Sequence, residues 1–182
     1  ILTVPTPTSY GFAGTGTLAN VAAMENKGFE FQLGYHKTGG EFTWDVTGLL
    51  SIIRNKVLRL NSDNASITAG GDADFGGGGP LTNTVVGQPV QSFYGYIVEG
   101  IFQNEAEIAG HATQSGAAPG DLKFQDLDGN GVINDGDRTF IGSFTPKFTY
   151  SLNFSANYKN FDLALFFQGV QGNDIFNAAR II

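Results

Sequence analysis

The chain has 182 residues, among them 26 glycines and 16 phenylalanines, with no cysteine and a formal charge of −7. Glycine at about twice its ordinary usage, beside 13 % aromatic residues, points to an all-β chain with many turns. The absence of cysteine excludes a disulfide scaffold, a thiolate nucleophile and a cysteine-type zinc site, and 10 Lys and Arg against 17 Asp and Glu exclude the basic face that nucleic acid requires.

The opening ILTVPTPTSYGF has no basic segment followed by an apolar core, so no signal peptide is read there. No run approaches the ~18 consecutive apolar residues of a membrane helix, which leaves a membrane β-barrel open because alternating strands give no such run. The first clear period is two. Phe29, Phe31, Leu33 and Tyr35 alternate with Glu30, Gln32 and Gly34, and after a Lys37–Glu41 turn Phe42, Trp44, Val46, Leu50 and Ile52 lie opposite Thr43, Asp45, Thr47 and Ser51. This predicts a hairpin with aromatic and aliphatic side chains on one side.

From Arg54 to Lys147 the character changes. The run Ala69–Pro80 is too rich in glycine for regular structure. Ser92–Phe102 (SFYGYIVEGIF) reads as one or two short strands interrupted by Gly95 and Gly100, and Asn104–Gly110 as one helical turn. Phe93, Tyr94 and Tyr96 are candidates for stacking on sugar rings, with packing inside the insertion as the plainer reading.

The strongest chemical motif is DLDGNGVINDGD, Asp126 to Asp137. It fits the twelve-residue calcium loop: Asp126, Asp128 and Asn130 at positions 1, 3 and 5, Gly131 at the sharp turn, the Val132 carbonyl at 7, Asn134 at 9, and Asp137 at 12 where Glu is usual. Ca²⁺ takes six to eight hard oxygens, and side chains alternating about a glycine turn can wrap them around one ion. Pro119–Phe124 and Arg138–Gly142 on either side look extended, so the loop lacks the helix pair of a sensor and the expected calcium role is structural. An Asp/Asn/Gly turn without metal produces the same residues.

Eleven residues of strict alternation follow, in which Phe148, Tyr150, Leu152, Phe154, Ala156 and Tyr158 are interleaved with Thr, Ser and Asn. A Lys159-Asn160 turn leads to Phe161, Leu163, Leu165 and Phe167, and after Gly169 a loop is expected over Val170–Asn173. Strands of this length with aromatics near their ends suit an outer-membrane barrel wall; a soluble sheet covered on one side gives the same alternation. Short turns at Lys37–Glu41 and Lys159–Asn160 and one long connection between the hairpins match periplasmic turns and an extracellular loop.

Other chemistry finds little support. His36 and His111 have no second ligand at metal spacing, the Gly76–Gly79 run continues into Pro80-Leu81-Thr82 and not Lys-Ser/Thr, and Gly14-Thr15-Gly16 lacks a third glycine. No Ser sits in a Gly-x-Ser-x-Gly elbow. Loop carboxylates for glycoside hydrolysis are a third reading, although most of the loop acids already belong to the calcium-type motif.

Several segments, in order along the chain, resemble the C-terminal part of SusC/RagA-type TonB-linked outer-membrane receptors. They are Val21–Glu30 (VAAMENKGFE), Arg54–Val57, Ser92–Tyr96 through Gly100–Phe102, Pro119-Gly120-Asp121, the calcium-type loop, Asp137-Arg138-Thr139 with Ile141-Gly142, Pro146–Tyr150, and Phe167-Gln168-Gly169 with Gly172-Asn173-Asp174. The resemblance implies a piece of a large antiparallel transmembrane β-barrel of 22 strands. It also implies uptake of oligosaccharides or peptides with energy from TonB, a SusD-type lipoprotein partner, contact with outer-membrane lipid, and no enzymatic activity. The plug, the TonB-contact segment and the remaining barrel strands are missing from these 182 residues. The expected division is 1–53 as a wall hairpin with a preceding segment, 54–147 as the extracellular insertion, and 148–182 as a second wall hairpin with the start of the next loop. The alternative is a soluble, secreted, calcium-stabilised β-sandwich that binds carbohydrate.

Overall fold

Alternation of apolar and polar residues demands that one face of each strand be covered, and the question for this chain is what covers it. The computed structural model describes residues 2–4, 17–20, 22–60, 66–70 and 79–177. The glycine run at 71–78 and Gly14-Thr15-Gly16 lie outside the described residues. Among those described, the strands are β1 (Leu2–Val4), β2 (Thr17–Ala19), β3 (Ala23–Lys37), β4 (Phe42–Arg59), β5 (Ile67–Ala69), β6 (Thr82–Thr84), β7 (Ser92–Tyr96), β8 (Val98–Ile101), β9 (Leu122–Phe124), β10 (Arg138–Gly142), β11 (Phe148–Tyr158) and β12 (Phe161–Gln171). One five-residue helix, α1 (Glu105–Ala109), falls where a helical turn is expected, capped by the Asn104 side chain accepting from the Glu107 N–H. No described helix is long and apolar enough to cross a membrane, a statement that does not bear on strands. The pairing of β1 with β2 is antiparallel, with Leu2 opposite Ala19.

The chain divides into two units. The first comprises Ile1–Ser66, Val85–Val90 and Ser143–Phe176. Its centre is a four-stranded antiparallel sheet in the order β3-β4-β11-β12. Lys37 pairs with Trp44 and Tyr158 with Phe42, so the turns at 38–41 and 159–160 lie at the same end of the sheet, and the long connection leaves from the other end. Registers bring the apolar sets of all four strands onto one face. Phe31, Leu50, Tyr150 and Gly169 form one row, Leu33, Gly48, Leu152 and Phe167 the next, and Tyr35, Val46, Phe154 and Leu165 a third.

That face is not covered. Phe29 is 82 % exposed, Leu33 66 % and Phe161 78 %, and the buried apolar side chains of this unit among the described residues are Val57, Leu60 and Ala156. A sandwich would lay a second sheet about 10 Å above the face and bury these residues. The opposite face carries Glu30, Gln32, Asp45, Thr47, Ser51, Ser151, Asn153 and Ser155, interrupted by Leu49 and Phe166.

Two boundaries differ from the sequence expectation. β12 runs through Gly169 to Gln171 where a loop was expected, because Gly169 sits opposite Tyr150 and leaves room for its ring. A Cβ there would press into the Tyr150 ring. β4 likewise continues past Arg54 to Arg59. β11 pairs with β4 only as far as Ser51. Beyond it Val85–Val90 borders the strand: the Val57 N–H donates to the Gln88 carbonyl and the Gly87 N–H to the Val57 carbonyl, both at 2.9 Å, and the Val90 N–H donates to Asn55 Oδ1 at 2.8 Å. Asn55 Nδ2 also donates to Asn26 Oδ1 at 2.7 Å.

The second unit comprises Ile67–Thr84, Gln91–Gly142 and Asn177–Ile182. It contains an antiparallel sheet, β10-β7-β6-β5, and the ribbon β8-β9. Phe102 is its most buried large side chain, 1 % exposed. The Phe102 N–H donates to the Asp121 carbonyl, its carbonyl accepts from the Gly120 N–H, and its ring meets His111 edge-on at 5.3 Å. His111 is therefore a packing residue whose Nδ1 lies 2.9 Å from the Ala112 carbonyl.

Candidate metal centre

The segment between β9 and β10 has no ladder to satisfy its backbone, and its Asp and Asn side chains take over that task. Gln125 is still tied by its N–H to the Ile97 carbonyl at 2.9 Å. From Asp126 on, the side chains of Asp126, Asp128, Asn130 and Asn134 accept from N–H groups that follow them. Asp126 Oδ1 accepts from Gly129 and Oδ2 from Gly131, both at 2.8 Å; Asp128 Oδ1 accepts from Asn130 at 3.0 Å; Asn130 Oδ1 accepts from Val132 at 2.8 Å; Asn134 Oδ1 accepts from Gly136 at 2.7 Å. The bonds of Asp128, Asn130 and Asn134 are Asx turns in series, and Asp126 spans the first of them with its two longer bonds. Gly131 takes φ 80°, the left-handed geometry that the sharp turn at position 6 requires.

Asp137 closes the loop. It stands at the end of a short 3-10 turn, Asp135–Asp137, and is fully buried. Its Oδ1 accepts from the Leu127 N–H at 2.8 Å and, more weakly, from that of Asp128 at 3.4 Å, and Oδ2 accepts from the Asn134 N–H at 2.8 Å. The Asn134 N–H bond is the main cause holding the Asp137 carboxyl below the ordinary carboxylate range; burial opposes it, and the Leu127 and Asp128 N–H groups reinforce it. The first and last residues of the loop are thereby fastened together.

Carboxylate oxygens of Asp126, Asp128 and Asp137 lie within 4.8 Å of one another. An oxygen that accepts one N–H keeps a second lone pair, so these bonds orient the donors without exhausting them. The Val132 carbonyl accepts from Asn134 Nδ2 at 3.1 Å, which brings positions 7 and 9 to the same side of the loop. Of the six sequence-derived positions the structure gathers the oxygens of Asp126, Asp128 and Asp137, hard donors of the kind Ca²⁺ takes, while Asn130, Val132 and Asn134 are tied to the same loop by the bonds given above.

One partner of the loop had no sequence signal. The Thr113 N–H donates to the Gly131 carbonyl at 2.8 Å, and the Thr113 carbonyl accepts from the Ile133 N–H at 3.0 Å, a parallel bridge that braces the middle of the loop. Both are backbone bonds, indifferent to the Thr side chain, so no residue pattern announces them.

Arg138, next to Asp137, links the loop to β7. Its Nη2 donates to the Pro80 carbonyl at 2.7 Å, its Nη1 lies 3.8 Å from Asp135 Oδ1, and its guanidinium stands over the rings of Tyr94 and Tyr96 at 5.4 and 5.6 Å. Tyr94 also packs on Phe140 and Tyr96 on Phe124, at 5.4 and 5.0 Å between centroids. Burial, and then the charge of Asp135, push the Tyr96 phenol above its ordinary range. Phe93 falls on the other side of β7 by alternation. The three aromatics are half-buried, and a sugar ring reaching Tyr94 or Tyr96 from the guanidinium side would have to displace Arg138.

No protein-family model matches the chain. It is 37 % identical over 165 residues to TonB-dependent receptor P3 of Formosa agariphila, an alignment covering 88 % of this chain and 16 % of that receptor. It is 33 % identical over 179 residues to TonB-dependent receptor P26 of the same organism, covering 97 % and 18 %. With TonB-dependent receptor SusC of Bacteroides thetaiotaomicron the identity is 24 % over 161 residues, covering 86 % and 15 %. The chain thus spans less than a fifth of the length of these relatives. Among solved structures, the RagAB peptide transporter aligns with a TM-score of 0.65 and 18 % identity over 94 % of this chain and 17 % of the other. The RagAB peptide importer in its open-open state gives 0.68 at the same identity and coverage. At that identity the likeness is one of fold.

Proposed function

The chain belongs to the SusC-type TonB-dependent receptors, and from that premise we propose that it forms wall and outer insertion of an outer-membrane importer of oligosaccharides or peptides. The import is driven by TonB, which engages the receptor outside these 182 residues, and a SusD-type lipoprotein works with it at the outer face. The observation that carries the reading is the continuous apolar face of β3, β4, β11 and β12, which the chain leaves exposed. Lipid is the solvent such a face requires. The eleven residues of β11, tilted as barrel strands are, give a band about 25 Å tall. Phe42, Tyr158 and Phe161 gather at the turn end of this face, as an interfacial aromatic girdle would. In this reading the short turns face the periplasm and the insertion faces outward. No covalent step is proposed.

In cells producing the full-length receptor that contains this chain, the protein is expected in the outer-membrane fraction, released only by detergent, with uptake of one class of oligosaccharide or peptide lost on its deletion. Recovery as a monodisperse monomer in plain buffer, with cooperative unfolding, would favour the soluble sandwich and overturn the barrel reading.

We also propose that Asp126, Asp128, Asn130, Val132, Asn134 and Asp137 hold a structural Ca²⁺. The convergence of three carboxylates in a loop already shaped by its own side-chain-to-backbone bonds supports this. Calorimetric titration of the purified receptor is expected to give one site that disappears in Asp126→Ala; absence of binding at millimolar Ca²⁺ removes the proposal.

A further inference from the structure

Cations are unevenly placed on the first unit. Of the chain's ten Lys and Arg, five, namely Lys27, Arg54, Lys56, Arg59 and Lys147, belong to the end of the sheet from which the insertion leaves. Three of them share the uncovered apolar face, because alternation carries that face from Phe29 to Lys27 on β3 and from Ile52 to Arg54 and Lys56 on β4. The apolar rows therefore stop and a cationic row begins one step further along the same surface.

The pairing within that row is unusual. Lys27 stands directly opposite Arg54, and Glu25 directly opposite Lys56. Like charges facing each other across strands destabilise a sheet. Glu25 relieves one of them, its Oε2 lying 2.8 Å from Lys27 Nζ, but a single carboxylate among three cations leaves the row positive in a chain whose overall charge is −7. Arg54 is also fixed in place, since its Nη1 donates to the Lys147 carbonyl at 2.8 Å. A guanidinium anchored at one nitrogen retains further donors in a planar fork suited to phosphate. At the turn end the arrangement differs, for Lys159 lies 3.7 Å from Glu41 Oε2 and over the Tyr158 ring.

Resting on the membrane-wall reading above, we propose that this row is a binding surface for the phosphorylated headgroup of a membrane glycolipid, with phosphate meeting Arg54, Lys56 and Lys27 while acyl chains lie along Phe29, Phe31, Leu50 and Ile52. Charge complementarity selects an anionic headgroup, and continuity with the apolar rows selects an amphiphile over a free anion. The long stems of Lys and Arg let the apolar carbons stay with the acyl region while the charges reach the headgroup layer.

The test uses the full-length receptor, stripped of bound lipid in detergent and returned to phosphatidylcholine nanodiscs with or without diphosphorylated lipid A. Lipid A is expected to raise the unfolding temperature of the wild type. That increment should vanish in Lys27→Ala/Arg54→Ala/Lys56→Ala and persist in Lys37→Ala and in Lys27→Arg/Lys56→Arg. Dephosphorylated lipid A and millimolar inorganic phosphate are expected to give no increment. An equal increment in wild type and triple variant, or one produced by dephosphorylated lipid A or by phosphate alone, overturns the proposal and leaves the barrel reading intact. Should the triple variant not fold, Arg54→Gln alone must reduce the increment. A receptor that never requires detergent overturns both.

Discussion

On the apolar face of the sheet of β3, β4, β11 and β12 the side chains that face one another across strands are mostly large and exposed, and ladders pair the inner strands with a neighbour on each side and the edge strands β3 and β12 on one. Between β9 and β10 the reverse holds: side chains are short and polar, ladders are absent, and Asp and Asn oxygens satisfy the backbone one N–H at a time. The first region is regular because each strand is held to the next by a repeating ladder, and the solvent outside must supply the hydrophobic term. The second is irregular because its specificity is written in individual hydrogen bonds. Substitutions should therefore act in the sheet through what they show to lipid, and in the loop through which bond they remove.

The contrast breaks most visibly at the centre of β11. Leu152, opposite Gly48 and Phe167, lies on the apolar face, while its neighbour Ser151 points the other way. Leu152→Arg in the full-length receptor should destabilise the folded state in bilayers by about 2–4 kcal/mol, the cost of a cation near the midplane. Ser151→Arg should cost far less. Urea unfolding in lipid vesicles measures both, and equal losses would mean that the two faces see the same solvent.

A smaller effect is expected where packing, not polarity, decides. Gly169→Ala places a Cβ against the Tyr150 ring and should cost about 1–3 kcal/mol as overpacking. Tyr150→Ala should relieve most of that loss, since the two positions face each other directly. Smaller again is Asn55→Ala, which removes the acceptor of the Val90 N–H and the donor to Asn26. At about 1 kcal/mol for the partly buried bond to Val90, with the exposed one to Asn26 adding little, the variant should loosen Val85–Val90 and raise amide exchange at Val57 and Val90 while the β4–β11 ladder stays protected.

Legibility in the sequence followed the same division. The period-two rows from Phe29 to Tyr35 and from Phe148 to Tyr158 are visible because the sheet repeats one rule, and the registers then set Leu50 beside Tyr150 and Phe31. The convergence of Asp126, Asp128 and Asp137 is legible because their spacing is local. Three features were not. Val85–Val90 returns to β4 through backbone groups and one distant Asn, with no alternation to announce it. β12 passes through Gly169 because of a ring on the neighbouring strand, and a glycine alone reads as an interruption. The parallel bridge between Thr113 and Val132 joins residues far apart in sequence by main-chain bonds that any side chain would permit.

The most confined effect is expected at Asp137, and its pH dependence tests whether the loop is held by individual bonds. The carboxylate accepts N–H groups from Asn134, Leu127 and Asp128, and its pKa in the folded chain lies below the unfolded value of 3.8. A depressed pKa means that the charged form is the one folding favours. The contribution is thus fully present above the unfolded value and is lost as the pH falls through the lower folded value. Protection of the Leu127 and Asn134 amides, corrected for intrinsic exchange, should stay level from pH 7 to about 4 and collapse below it. Asp137→Asn should remove the step, because an amide at that position carries no titrating charge, and should speed proteolysis between Asp126 and Arg138 without altering exchange in β4 or β11. A parallel loss of protection in the sheet would show that the loop and the wall unfold as one, and the contrast between them would fail.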